Sequence, residues 1–382
     1  MAARMKPVTA AAVLQLVDAG RLDLDEDVNA YLTSWRLPNN GSWQPRVTLR
    51  QLLCHGAGLT VHGFPGYLRD AELPTLQQVL AGQKPANSDP IRVNALPGTQ
   101  YRYSGGGYCI LQQVLMDVTG KPFPTLMREL VLDPLNMTQS THEQPLPVAA
   151  AAASGHRTGG KPIAGKWSVY AEMAAAGLWT TPSDLLRFAL AIQHALAGHA
   201  DSFLSQTIVQ QMLSPQVEPF VGLGWQLDGK DASLRFSHTG GNEGFRCILV
   251  AYARQGFGAS VMTNADAGMI VIEQVMAALA HEYDWPAYLP HRDSMGELDP
   301  TIYAAYVGEY ELKPGFTFTV RAQNNELTLQ PTGQSALTLH PVNANTFLLQ
   351  EVDAEIVFAR DGEHNSLTFK QNDREMVAPK VK

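Results

Sequence analysis

Three separated stretches of this 382-residue chain carry side chains able to move protons. Lys6 and Pro7 open an apolar helical run that ends near Gly20. Proline is tolerated in a first turn because that N–H has no intrahelical partner. Val13, Leu16 and Val17 recur at helical spacing, so one face is expected to be core. A lysine at the mouth of a buried helix is where chemistry would sit. The second stretch is Tyr103-Ser104-Gly105-Gly106-Gly107-Tyr108, before a further helix, and the third is Ser237-His238-Thr239-Gly240-Gly241, on an expected strand. Taken singly, each has an ordinary structural explanation: a solvated terminal lysine, a core tyrosine with its hydroxyl satisfied, a strand histidine. In this order, with Leu52 to Leu59 between the first two and Gly177 to Asp184 between the last two, they read as one dispersed site. His55 and His62 lie near glycines without metal-ligand spacing and read as structural or loop residues, so neither a metal nor a cofactor is expected. Cys54, Cys109 and Cys247 sit in apolar or glycine-rich surroundings and read as buried free thiols.

The elements that must position these residues are of two kinds. Up to about residue 284 the pattern is helical, with Thr48 and Thr181 as expected N-caps and Pro182 in the first turn of the helix that Thr181 opens. A capping box of Thr181 with Asp184 is expected there, and Lys121 to Leu135 reads as another helix. Phe236 to Phe245, Cys247 to Tyr252 and Gly258 to Thr263 read as paired strands, followed by a helix over Ile270 to His281. Helices flanking an antiparallel sheet make an α+β body. After a Pro/Gly-containing linker over 285–299, residues 300–382 alternate apolar and polar in short strands at Phe316, Leu327, Leu337, Ile356 and Leu367, which predicts a small antiparallel barrel. A net charge of -8 leaves no basic stripe for nucleic acid, and no apolar run reaches membrane-spanning length. The expected partner is a small molecule or short peptide, with nothing to indicate an oligomeric state.

The ordered motifs resemble the serine β-lactamase-like superfamily: class C β-lactamases, D,D-peptidases, D-aminopeptidases and family VIII esterases. The resemblance runs from Met5 to about Tyr283 and implies a β-lactamase-like sheet flanked by helices, with a helical subdomain. It places Lys6 at the lysine that follows a nucleophilic serine by three residues, both on one face of a helix. Tyr103 matches the tyrosine of a Tyr-x-Asn motif, with Gly105 where asparagine is expected, and His238-Thr239-Gly240 matches the third motif in full. The implied chemistry is acyl transfer on a small ester, amide, β-lactam or D-amino-acid peptide. Lys6 would serve as base and Tyr103 as proton shuttle, and the backbone N–H of Gly241 would face the oxyanion. Thr239 and Gly240 would complete the substrate-side strand, and loops such as Thr60 to Lys84 would shape the pocket.

At the nucleophile position the chain has Ala3. The superfamily also carries a helix and two edge strands before this point, so the expectation is either a start that falls late or a homologue that binds without acyl transfer. The compartment follows suit: cytoplasmic as written, periplasmic or secreted if a segment precedes Met1. The terminal barrel resembles a lipocalin-like module appended to some members, at Tyr306-Val307-Gly308-Glu309-Tyr310 and Val377-Ala378-Pro379, and is read as a structural appendage.

Overall fold

The structure, a computed structural model, describes residues 2–3, 5–147, 150–285, 287–288, 300–323, 326–349, 354–361, 364–371 and 374–382. They group into two compact units, Met1–Met276 and Ala277–Lys382. The expected linker lies largely outside the described residues.

The first unit runs in the order β1 (Ala2–Ala3), α1 (Lys6–Asp18), α2 (Leu49–Leu53), α3 (Leu76–Ala81), α4 (Gly105–Thr119), α5 (Phe123–Met127), α6 (Met173–Ala176), β2 (Leu178–Trp179), α7 (Pro182–Leu196) and α8 (Gln206–Met212). It continues with β3 (Gln226–Asp228), β4 (Arg235–Asn242), β5 (Phe245–Tyr252), β6 (Gly258–Thr263) and the first part of α9 (Met269–Glu282), within which the division at Met276 falls. Strands β3 to β6 form an antiparallel sheet in sequence order, and α7 packs on β5 and β6. Each strand follows its neighbour through a short connection, the topology that antiparallel pairing allows.

Local chemistry explains the elements. The α1 helix enters through Pro7 and is buried on every side from Lys6 to Leu14, not on one face alone. A helix without a polar face stays stable only inside a core, and its one hydroxyl, Thr9 Oγ1, is satisfied by the Ala174 carbonyl at 3.1 Å. Thr48 caps α2 in a reciprocal box with Gln51. At α7 the box is one-sided. Thr181 accepts the Asp184 N–H, but the Asp184 carboxylate turns to the Gln139 N–H at 2.9 Å, Ser140 at 2.7 Å and Arg187 at 2.7 Å. The stretch expected as one helix to Leu135 is helical from Phe123 to Leu132, α5 running directly into a π-helical segment over Arg128–Leu132.

Among the described residues the second unit has eight strands: β7 (Gly308–Lys313), β8 (Phe316–Gln323), β9 (Glu326–Pro331), β10 (Leu337–Pro341), β11 (Thr346–Leu349), β12 (Ala354–Asp361), β13 (His364–Gln371) and β14 (Arg374–Pro379). They form one antiparallel sheet in sequence order. Main-chain bonds across its ends, Glu309 N–H to Lys382 O at 3.0 Å and Val381 N–H to Glu309 O at 2.7 Å, nearly close it into a barrel. Five of the eight strands were legible as alternating runs. β7, β11 and β14 are too short or too charged to stand out. The interior is packed with side chains, Tyr306, Tyr310, Phe318, Phe347 and Phe358 among them.

Candidate active site

Lys6 is 2 % exposed at the first position of α1. Its ammonium donates to the Tyr103 hydroxyl and reaches the Ala175 carbonyl at 3.5 Å. Nζ also lies 4.6 Å from the Tyr103 ring centroid and 5.7 Å from that of Tyr108. Tyr103 ends the extended segment before α4, and Ser104 caps that helix by accepting the Gly107 N–H at 3.2 Å. Two residues 97 positions apart are thus joined by a hydrogen bond in a water-poor place, where such a bond is stronger than in solvent.

The β4 strand brings the third stretch to the same place. His238 and Thr239 line a cleft of about 420 Å³ together with Tyr103, His55, His62, Tyr101 and Gly241. Among the described residues no Asp or Glu lines it. His238 is buried, its Nδ1 makes no hydrogen bond of standard geometry among the described residues, and burial, then the Lys6 charge, push its pKa down to about 3. The ring is therefore neutral at pH 7. His55 is held well below its ordinary value for the same two reasons, with smaller contributions from His238 and His62. Its Nδ1 accepts the Ser104 N–H at 3.2 Å, which leaves the proton of the neutral ring on Nε2.

His55 and His62, expected as structural or loop residues, both line the cleft. Their rings flank Tyr103 at 4.4 Å and 4.7 Å between centroids. Only the tertiary fold reveals this for His55, 48 positions away in sequence. Tyr101 had a local signal, since alternation in an extended segment puts it on the same side as Tyr103. Gly224, another cleft-lining residue, carries no signal in the sequence. It holds φ +87°, and a Cβ there would lie 2.7 Å from that of Ala10, so at this point the cleft wall approaches α1 too closely for a side chain.

Two expected participants sit elsewhere. Gly105 opens α4 and donates to the His62 carbonyl at 2.8 Å, outside the cleft lining. A Cβ on it would meet that oxygen at 3.0 Å and Phe64 at 3.1 Å, so loop 62–64 occupies the space beside it. Gly240 is buried behind the lining, with its carbonyl 3.5 Å from Cys247 Sγ. Ala3 is not one helical turn before Lys6. The helix begins at Lys6, and Ala3 lies in β1 opposite Leu178. Among the described residues no group of His, Cys, Asp or Glu converges as metal ligands, and no helix is long and apolar enough to cross a membrane.

With this geometry in hand, residues 1–280 match the Beta-lactamase family model. The chain belongs to the beta-lactamase family. Residues 292–379 match a second model, described as a domain of unknown function, DUF3471. Penicillin-binding protein 4* of Bacillus subtilis is 23% identical over 395 residues, covering 94% of this chain and 82% of that protein. The D-alanyl-D-alanine-carboxypeptidase/endopeptidase AmpH of Escherichia coli is 25% identical over 286 residues, covering 69% and 70%. Among solved structures, the octameric penicillin-binding protein homologue from Pyrococcus abyssi superposes with a TM-score of 0.63 over 98% of this chain and 86% of that one, at 20% identity. In this beta-lactamase-like serine hydrolase family scaffold Tyr103, His238, Thr239 and Gly241 line one cleft, and buried Lys6 is bonded to the Tyr103 hydroxyl.

Proposed function

We propose that the cleft takes a small ester, amide, β-lactam or D-amino-acid peptide, and that acyl transfer in it depends on a hydroxyl at position 3. The single observation that carries this is the hydrogen bond from buried Lys6 to Tyr103 beside the His238–Gly241 strand. A serine hydroxyl is a poor nucleophile until a neighbouring group takes its proton. Lys6 is the base that would do so, Tyr103 would pass the proton to the leaving group, and the Gly241 N–H is the donor proposed for the oxyanion. Thr239 and Gly241 line the cleft, where a ligand would meet them. As the sequence stands, Ala3 supplies no hydroxyl, so the chain is expected to bind such ligands without forming an acyl adduct.

The test is intact-mass measurement after incubation with benzylpenicillin and with a fluorophosphonate, on the chain as given, on Ala3→Ser, and on a version extended upstream with a serine at position 3. Calorimetric titration with acyl-D-alanine runs in parallel. Binding without an adduct in the parent and a covalent adduct in a serine version are expected. An adduct on the parent would place the nucleophile elsewhere and refute the role of position 3. Neither binding nor labelling in any version would remove the acyl-transfer reading altogether.

A further inference from the structure

Glu172 has no place in any of the three sequence stretches, yet its side chain is 0 % exposed. Among the described residues Lys6 is the one buried lysine or arginine, and Glu172 and Asp184 are the two buried carboxylates. Asp184 is committed to Arg187, Ser140 and the Gln139 N–H. Glu172 immediately precedes α6, and its carbonyl accepts the Ala175 and Ala176 N–H groups at 3.1 and 2.9 Å.

The α6 turn packs against α1 and α4, and its carbonyls reach both halves of the site. Ala175 O accepts from Lys6, Ala174 O from Thr9 on α1 at 3.1 Å, and Ala176 O from Asn242 on β4 at 2.9 Å. The Glu172 carboxylate accepts the Tyr67 hydroxyl at 3.1 Å, and that hydroxyl receives the Asn87 N–H at 3.3 Å. Cys109 on α4 senses both charges: after burial, Glu172 raises its pKa and Lys6 lowers it. A buried charge is costly unless an opposite one compensates it.

We propose that Glu172 is the buried counter-charge that sets how tightly the Lys6–Tyr103 pair holds its proton, a positioning residue acting through α6. Other titratable groups around Lys6 among the described residues include Tyr103 and Tyr108, Cys109, His55 and His238. Burial holds both histidines neutral, and it holds Tyr108 and Cys109 protonated. Glu172 is the one carboxylate of the set.

The proposal rests on the reading of Lys6 and Tyr103 as the reacting pair, but its test follows titration, not turnover, so the two fail separately. Lysine labelled with ¹³C at Cε is followed by NMR against pH in the parent, Glu172→Gln, Glu172→Asp and Tyr67→Phe, with the Lys6 signal assigned by Lys6→Met. Removing a buried opposite charge is expected to lower the Lys6 midpoint by about one pH unit in Glu172→Gln. Glu172→Asp and Tyr67→Phe keep the charge and are expected to stay with the parent. An unchanged midpoint in a Glu172→Gln protein that melts like the parent overturns the proposal. If Glu172→Gln does not fold, the parent decides. A Lys6 midpoint at or above about pH 8 supports a counter-charge, and one below it overturns the proposal, because burial alone drives a lysine down by several units.

Discussion

Two buried histidines should make the first unit acid-sensitive in a way that one substitution can isolate. His142 is 1 % exposed, packs edge-on against Phe123 at 5.3 Å, and its Nδ1 has no hydrogen bond among the described residues. Burial alone lowers its pKa from 6.5 to about 3, and His238 is lowered as far. In each case the folded value lies below the unfolded one, so the unfolded chain binds the proton first. The stability contributed by the neutral ring is complete above pH 6.5 and is lost as pH falls toward 3. At pH 5 the ring has given up about 2 kcal/mol, from one and a half pH units at about 1.4 kcal/mol each. The perturbation is His142→Leu, which keeps an apolar side chain against Phe123 and removes the titration. Urea unfolding followed by tryptophan fluorescence suits the purpose, because five of the six tryptophans precede residue 277 and none lies in the barrel strands. Near pH 7.5 the variant is expected to match the parent within about 1 kcal/mol, since only an unpartnered ring nitrogen is lost. At pH 5 it should be more stable than the parent by about 2 kcal/mol relative to that difference. Parallel pH profiles for the two proteins would refute the reasoning, because His142 would then take up its proton inside the fold as readily as outside it.

Gly224→Ala should lower stability by about 1–3 kcal/mol, through the strain of a positive φ and overpacking against Ala10, read as a shift in the urea midpoint of the tryptophan signal. Phe347→Ala should destabilise the barrel by about 3–5 kcal/mol, because Phe347 is fully buried against Tyr303, Tyr306 and Phe358. Hydrogen exchange of the amides in β10 to β13 is the measurement, and unchanged protection there would count against a side-chain-filled interior.

Much of this protein was decided locally. Pro7, Thr48 and Thr181 act within one turn of where they stand, so helix starts followed from residue type alone. Period-two alternation depends only on neighbours along the chain, and it predicted five barrel strands. The motif residues Lys6, Tyr103 and His238 could likewise be named from order and spacing. What no local rule reaches is contact across the fold. His55 and His62 meet Tyr103 because α2 and the loop after it fold back on the start of α4, through Ser104 Oγ to Val61 O at 2.8 Å and Gly105 N–H to His62 O at 2.8 Å. Gly105 is excluded from the cleft by that same loop. Spacing alone put Ala3 one helical turn before Lys6, whereas the fold starts the helix at Lys6 and pairs the main chain of Ala3 with Leu178. Glu172 illustrates the division most plainly. In sequence it is one acidic residue before an alanine run, and only the packing of α6 between α1 and α4 removes it from water. Sequence by itself determined which groups were available for proton transfer. Tertiary structure decided which of them share a dry volume, because burial and charge proximity belong to the assembled core and to no segment of it.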